Sequence, residues 1–335
     1  MTTSGLRMAL LGLLVATSAA ANDTTAVLST GGLEFVRNEN VEMLSEELFI
    51  STEEIRVTYA FRNNGSEDES VLVAFPMPDI TPNHWSPVSY PDGPEDNLFR
   101  FETTFDGEPV EAELHQYAFA AGVDRSELLR GMGLPLAPFT DAAREATDAL
   151  SDEETAELFH LGLVVPDEYD AGNGWEKHWW PSWTLRSTYT WEAEFPAGKT
   201  VEVVHRYKPS VGGTVAASFL IEPYEDYDPR AEYTKKYCLE DDFVSAVEKT
   251  ITPEAPYGPY SEQWLSYVLT TGANWGGPIG EFKLIVDKGD PKNLVSFCGE
   301  NVRKTGPTTF EMVEKDFYPQ KDLEILILVH NESVN

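Results

Sequence analysis

Positive charge is scarce in this chain. Its 335 residues carry 24 lysines and arginines against 57 aspartates and glutamates, a formal net charge of −33. So acidic a surface argues against nucleic acid or anionic membrane as a partner, because phosphate groups are bound by Lys and Arg. It suits cations, basic partners or a salty medium, and self-repulsion alone keeps such a surface soluble. Cysteine is scarcer still: Cys238 and Cys298 are the only two. An even pair in an exported chain reads as one disulfide, closing a loop of about 60 residues worth roughly 3–5 kcal/mol. A nucleophilic thiol served by a His base is the rival reading, and no local signature supports it. Beyond the N-terminus no apolar run approaches the ~20 residues of a bilayer span. The nearest, Leu323 to Val329, is strand-sized and carries Glu324.

Familiar chemical motifs are missing as well. The histidines (His84, His115, His160, His178, His205 and His330) show neither H-E-x-x-H nor H-x-H spacing. No G-x-S-x-G elbow and no phosphate-cradling glycine loop occur. No catalytic residue and no cofactor can therefore be named from motifs. A carboxylate pair remains open among so many acids, but sequence does not locate it.

The N-terminus carries a recognisable address. Arg7 is the one charge in the first seven residues, Met8 to Ala16 is continuously apolar, and Thr17 to Ala21 is small with A-x-A at Ala19 and Ala21. That order is a secretory leader over residues 1–21, and cleavage after Ala21 leaves Asn22 as the new terminus. The apolar run is too short for the competing reading, a membrane anchor. The mature chain is expected in the periplasm or secreted. No cysteine sits near the cut, so a lipid anchor is not indicated.

Beyond the leader the chain is written largely in period two, the spacing of half-buried strands. Ile55, Val57, Tyr59 and Phe61 share one face, and Asn63-Asn64-Gly65 turns the chain towards Val71, Val73 and Phe75. Asp106-Gly107 marks a hairpin. Leu185 to Phe195 and Val201 to Tyr207 form the clearest hairpin, with His205 on the apolar face as a satisfied core residue. Residues 122–165 differ. Asp124 with Glu127 and Ser151 with Glu154 have capping-box spacing, and Thr140 opens an Ala-rich run. The division expected is an N-terminal β segment over 22–121, a helical insertion over 122–165 and a C-terminal β segment over 166–335. The fold class is mainly β, antiparallel sandwich-type sheets with a small helical insertion. A further short helix is expected from a cap at Asp242.

Several stretches together resemble an uncharacterised exported bacterial family, domain of unknown function 4424. They are Asn22-Asp23 with Gly31-Gly32-Leu33, MLSEELFIS from Met43, VTYAFRN, VAFPMPD, and HRYKPSVGG from His205. The most specific is TTGANWGGPIGEFKLIVDKG, Thr270 to Gly289, followed by Ser296 to Cys298. The resemblance covers nearly the whole mature chain. It implies export and a β-rich fold, and it transfers no catalytic residue.

Three segments could bind something. Asn274 and Trp275 lie in a glycine-rich connection, where Trp275 is either a stacking platform or tucked into the sandwich. Trp175, Trp179, Trp180 and Trp183 crowd nine positions beside Lys177 and His178. They either bind a sugar, peptide or cationic ligand by stacking, or seal helices to sheet. Glu225, Asp226 and Asp228 could ligate calcium, although EF-hand spacing is absent and a solvated acidic loop is the plainer reading. The expectation is a non-catalytic binding module in the envelope, with an unknown protein or small ligand as partner. A carboxylate-dependent hydrolase of envelope glycan or peptide is the alternative.

Overall fold

The computed structural model describes residues 22–29, 32–82, 88–170, 172, 174–224, 227–253 and 257–331. The leader, His84, Glu225 and Asp226 lie outside the described residues. The chain is mainly β, as its alternation predicts. An eight-stranded sheet runs in the order Arg303–Lys304, Thr309–Phe317, Ile279–Asp287, Val41–Ile50, Ile55–Asn63, Thr200–Tyr207, Glu102–Phe105, Glu108–Val110. A six-stranded sheet runs Val123–Asp124, Glu113–Ala120, Thr184–Phe195, Glu69–Pro76, Thr24–Ser29, Gly32–Val36. A five-stranded sheet contains Leu294–Phe297, Leu323–His330, Tyr260–Tyr267, Val211–Thr214 and Val88–Ser89. Pairing is antiparallel except where Ile279–Asp287 runs parallel to Val41–Ile50.

The faces read from the sequence are the buried ones, but the expected hairpin of Leu185–Phe195 with Val201–Tyr207 is not formed: the first strand belongs to the six-stranded sheet and the second to the eight-stranded one, so the turn between them crosses from sheet to sheet. Tyr59, Phe61, Val203, Tyr189, Trp191 and Phe195 pack into one apolar core between the sheets. One strand departs from strict alternation. Val41 and Met43 point inward, then Glu46, Leu48 and Ile50 do. The register shifts between Met43 and Ser45, so Leu44 is the extra residue of a β-bulge. The phase change turns Glu46 into the core and leaves Glu47 outside, on Lys283. Gly280 answers the bulge from the parallel neighbour. A Cβ there would lie 2.5 Å from the Leu44 carbonyl oxygen, so no larger residue fits.

Helices α1 (Ser126–Gly131), α2 (Asp141–Asp148) and α3 (Asp152–His160) follow one another. Thr140 caps α2 through the Ala143 amide, and Ser151 with Glu154 forms the expected capping box of α3. The box expected from Asp124 and Glu127 is not made: Arg125 occupies the cap of α1, and Asp124 instead accepts from Ser126. Helices α4 (Pro229–Tyr237) and α5 (Asp241–Glu248) come later. The expected cap Asp242 lies inside α5, which starts one residue earlier behind Glu240. The boundary drawn at 165/166 falls inside a strand, Val164–Asp170, which pairs with Trp175–Pro181 as a separate two-stranded sheet. Trp175, Trp179 and Trp180 thus lie on a hairpin, while Trp183 beyond it is buried between helices and sheet, with Trp179 packed against the same cluster. Among the described residues no helix is long and apolar enough to cross a membrane.

Candidate functional site

Among the described residues, Trp175 of the two-stranded hairpin is the most exposed aromatic side chain. Period-two geometry puts Val165, Asp167, Tyr169, Glu176, His178 and Trp180 on one face, and Pro166, Glu168, Asp170, Trp175, Lys177 and Trp179 on the other. The first face leans on α2. There His178 Nδ1 sits 3.0 Å from Asp148 Oδ2, and the Arg144 guanidinium lies 5.2 Å from the Trp180 ring. Asp148 also accepts from the Trp179 amide at 3.1 Å. The hydrogen bond to Asp148, helped by Glu176, holds the His178 imidazolium on to higher pH than usual.

The second face is open at its Trp175 end, while Trp179 nearer the base packs against the core under the helices. Trp175 is 79% exposed, and Lys177 Nζ lies 4.3 Å over the Trp179 ring. Phe159 of α3, itself exposed, meets Trp179 at 5.8 Å. Val165 and Tyr169 are exposed on the α2 side, Tyr169 stacked 4.7 Å from His178. The hairpin therefore shows apolar surface on both sides, edged by the carboxylates of Asp167, Glu168, Asp170 and Glu176. Trp183 does not share this surface. It is fully buried, and its indole N–H donates to the Leu136 carbonyl at 2.8 Å.

Asn274 and Trp275 also lie inside, and their contacts are with the chain's own start. The Trp275 indole donates to the Asp23 carbonyl at 2.7 Å, and the Asn274 amide donates to Thr24 Oγ1 at 2.9 Å. Trp275 is a core residue, packed against Phe61 at 4.6 Å. Around this clamp a polar chamber is enclosed by apolar side chains. Both Asp23 carboxylate oxygens lie 3.0 Å from His205 Nε2. Asn22 bridges Glu46, Tyr59 and Thr271. Tyr59 and Tyr267 hydroxyls meet at 3.2 Å. All these side chains except Thr271 are at most 1% exposed. Burial raises the pKa of Asp23 against the lowering influence of His205, and it pushes Glu46 up to about 8. Sequence reasoning placed His205 in the core. It missed Asp23 and Glu46, the first because its partner is 182 residues away, the second because the bulge changes the phase.

Clefts open elsewhere among the described residues, two of them beside buried polar groups. One of about 550 Å³ is lined by Glu53, Lys208, Gly213 and Glu262 among others. Glu262, the buried acid there, accepts from the Ser218 amide, the Tyr233 hydroxyl and the Trp264 indole, so it fastens α4 and its neighbours. A second of about 320 Å³ lies against Asp79, Tyr207 and Trp264, and the buried Tyr207 hydroxyl has no hydrogen-bond partner among the described residues. Asp228, proposed from sequence as a cation ligand, caps α4 through the Ala231 amide at 3.0 Å. No group of three or more metal-binding side chains occurs among the described residues. Cys238 and Cys298 form a disulfide with Cα atoms 5.0 Å apart, tying the end of α4 to the five-stranded sheet.

None of the curated proteins compared with the chain matches it. Among solved structures, a Legionella pneumophila protein described as a "putative nutrient binding protein" aligns over 92% of this chain and 70% of its own, at 14% identity and a TM-score of 0.42. The sequence matches one family over residues 21–326, and the chain belongs to that family, the domain of unknown function DUF4424.

Proposed function

We propose that the protein is an exported, non-catalytic interaction module that docks a basic protein partner through its aromatic hairpin. The observation that carries this reading is the separate pair of strands, with Trp175 79% exposed at its turn end and exposed apolar side chains on both faces. Exposed Trp and Tyr are the residue types that dominate binding hot spots, and contiguous apolar surface on a soluble protein marks a contact site. A flat ligand would use one face. Tyr169 and Trp175, exposed on opposite faces towards the turn of the hairpin, suit a partner that closes over that end. Four carboxylates against Lys177 and His178 select positive charge on that partner and speed encounter. The leader pattern and the disulfide support a location in the periplasm or beyond.

Site-specific photo-crosslinking in cells tests it. A crosslinker in place of Trp175 is expected to trap a discrete protein adduct that weakens with added salt. The same reagent at Val215, 84% exposed elsewhere, gives none. Equal adducts at both positions, or none at 175, contradict the reading.

A further inference from the structure

We propose that the Ala21–Asn22 bond is hydrolysed to complete the fold, and that the freed α-ammonium of Asn22 is an internal counter-ion in the chamber shared with Glu46. This inference does not depend on the hairpin reading. It concerns the other end of the molecule and a different class of event, a proteolytic modification that supplies a structural charge.

Burial comes first. Asn22, Asp23 and Thr24 are each 0% exposed. First residues of a domain are ordinarily exposed and loosely held. Here the Asn22 nitrogen donates to Thr271 Oγ1 at 2.8 Å, and that hydroxyl donates back to the Asn22 carbonyl at 2.7 Å. The Asn22 side chain donates to Glu46 Oε2 at 3.0 Å and accepts from the Tyr59 hydroxyl at 2.5 Å. Gly272 makes room for it: a Cβ there would lie 2.6 Å from Asn22 Nδ2. The stretch from Thr270 to Gly280, the most distinctive in the sequence, is thus a socket for residues 22–24.

The socket holds more acids than bases. It holds two carboxyl groups, Asp23 and Glu46, and one imidazole, His205, which lies on Asp23. Glu46 is 1% exposed, and its Oε1 has no hydrogen-bond partner among the described residues. A buried carboxylate without a cation or full hydrogen bonding is costly. An amide nitrogen at Asn22 offers one hydrogen, already given to Thr271. An α-ammonium offers three and a unit charge. Hydrolysis adds one water across the Ala21–Asn22 bond, leaving a carboxylate on Ala21 and an ammonium on Asn22, with no other reactant. The leader peptidase of an export pathway is the class of enzyme that does this. The result is a counter-charge for Glu46, supplied by the new terminus beside the Asp23–His205 hydrogen bond.

N-terminal sequencing of the exported protein is expected to read Asn22-Asp23-Thr24. The same chain made with two residues ahead of Asn22, and so an amide at that nitrogen, is expected to melt about 10 °C lower than the form starting at Asn22. Should the extended chain not fold, labelling decides. An amine-directed reagent at neutral pH leaves the Asn22 terminus of the folded protein unmodified while reaching exposed lysines, and modifies it once the protein is denatured. Equal melting temperatures, an exported terminus at another residue, or labelling of Asn22 at the denatured rate would each overturn the proposal.

Discussion

Two His–Asp pairs in this molecule have the same separation and opposite surroundings. His205 Nε2 lies 3.0 Å from Asp23 with both side chains at 0% exposure, and His178 Nδ1 lies 3.0 Å from Asp148 with 29% and 40% exposed. Two tryptophans repeat the contrast: Trp275 is at 0% and Trp175 at 79%. The chemistry is shared, so environment sets the role. Inside, each polar atom needs a partner and each charge a counter-charge. Outside, water screens the pair, and the aromatic face is left for contact.

That contrast can be attacked at both ends. His205→Leu strands the Asp23 carboxyl in the core, and chemical denaturation should show a loss of about 3–5 kcal/mol. His178→Leu on the hairpin is expected to leave the unfolding midpoint unchanged within error. Trp275→Ala removes a buried indole and its bond to the Asp23 carbonyl, for a loss of about 3–5 kcal/mol, while Trp175→Ala stays within about 0.5 kcal/mol. A sizeable loss at Trp175 would mean that the hairpin is a packing element. Replacing Cys238 and Cys298 together by serine releases a link of sequence separation 60, and should cost about 4 kcal/mol by chain entropy. The smallest effect lies at the docked face. With its pKa raised by Asp148, His178 favours the docked hairpin below about pH 6.5, and that contribution is lost as pH rises through its folded value. Amide exchange over Trp175–Pro181 should therefore quicken from pH 6 to 8 beyond the intrinsic rate, and unchanged protection would contradict this.

Much of the scaffold was legible because strand alternation is local. Tyr59, Trp191 and Val203 face inward as their spacing requires, and Ser151 with Glu154 caps α3 by a rule that spans three residues. The site was less so. Trp175–Pro181 lacks alternation of apolar and polar residues, so only the Gly172 and Gly174 turn before it hinted at a hairpin. Helix α4 has no apolar stripe, yet Asp228-Pro229 is a cap followed by proline at the first helical position, a signal that could have found it. Asn274 and Trp275 stood out as either a binding loop or a packed turn; Trp275 is tucked into the core, and the pair hold the chain's own residues 23 and 24. No local pattern reports contacts some 250 residues apart.

The internal charge balance can be read from stability against pH, measured for the form beginning at Asn22, the extended form, and Glu46→Gln in each. Asp23, Tyr59 and Tyr267 are the titratable groups that act on Glu46, with His205 on the far side of Asp23. In the extended form the folded chain keeps the Glu46 proton up to about 8 while the unfolded chain releases it near 4.5. Stability should then fall as pH rises between those values, and Glu46→Gln should remove the Glu46 share of the fall, leaving what the raised Asp23 contributes. In the form beginning at Asn22, the Glu46 share should be absent and Glu46→Gln should destabilise. Superimposable profiles for the two forms, with the same response to Glu46→Gln, would contradict the buried ammonium.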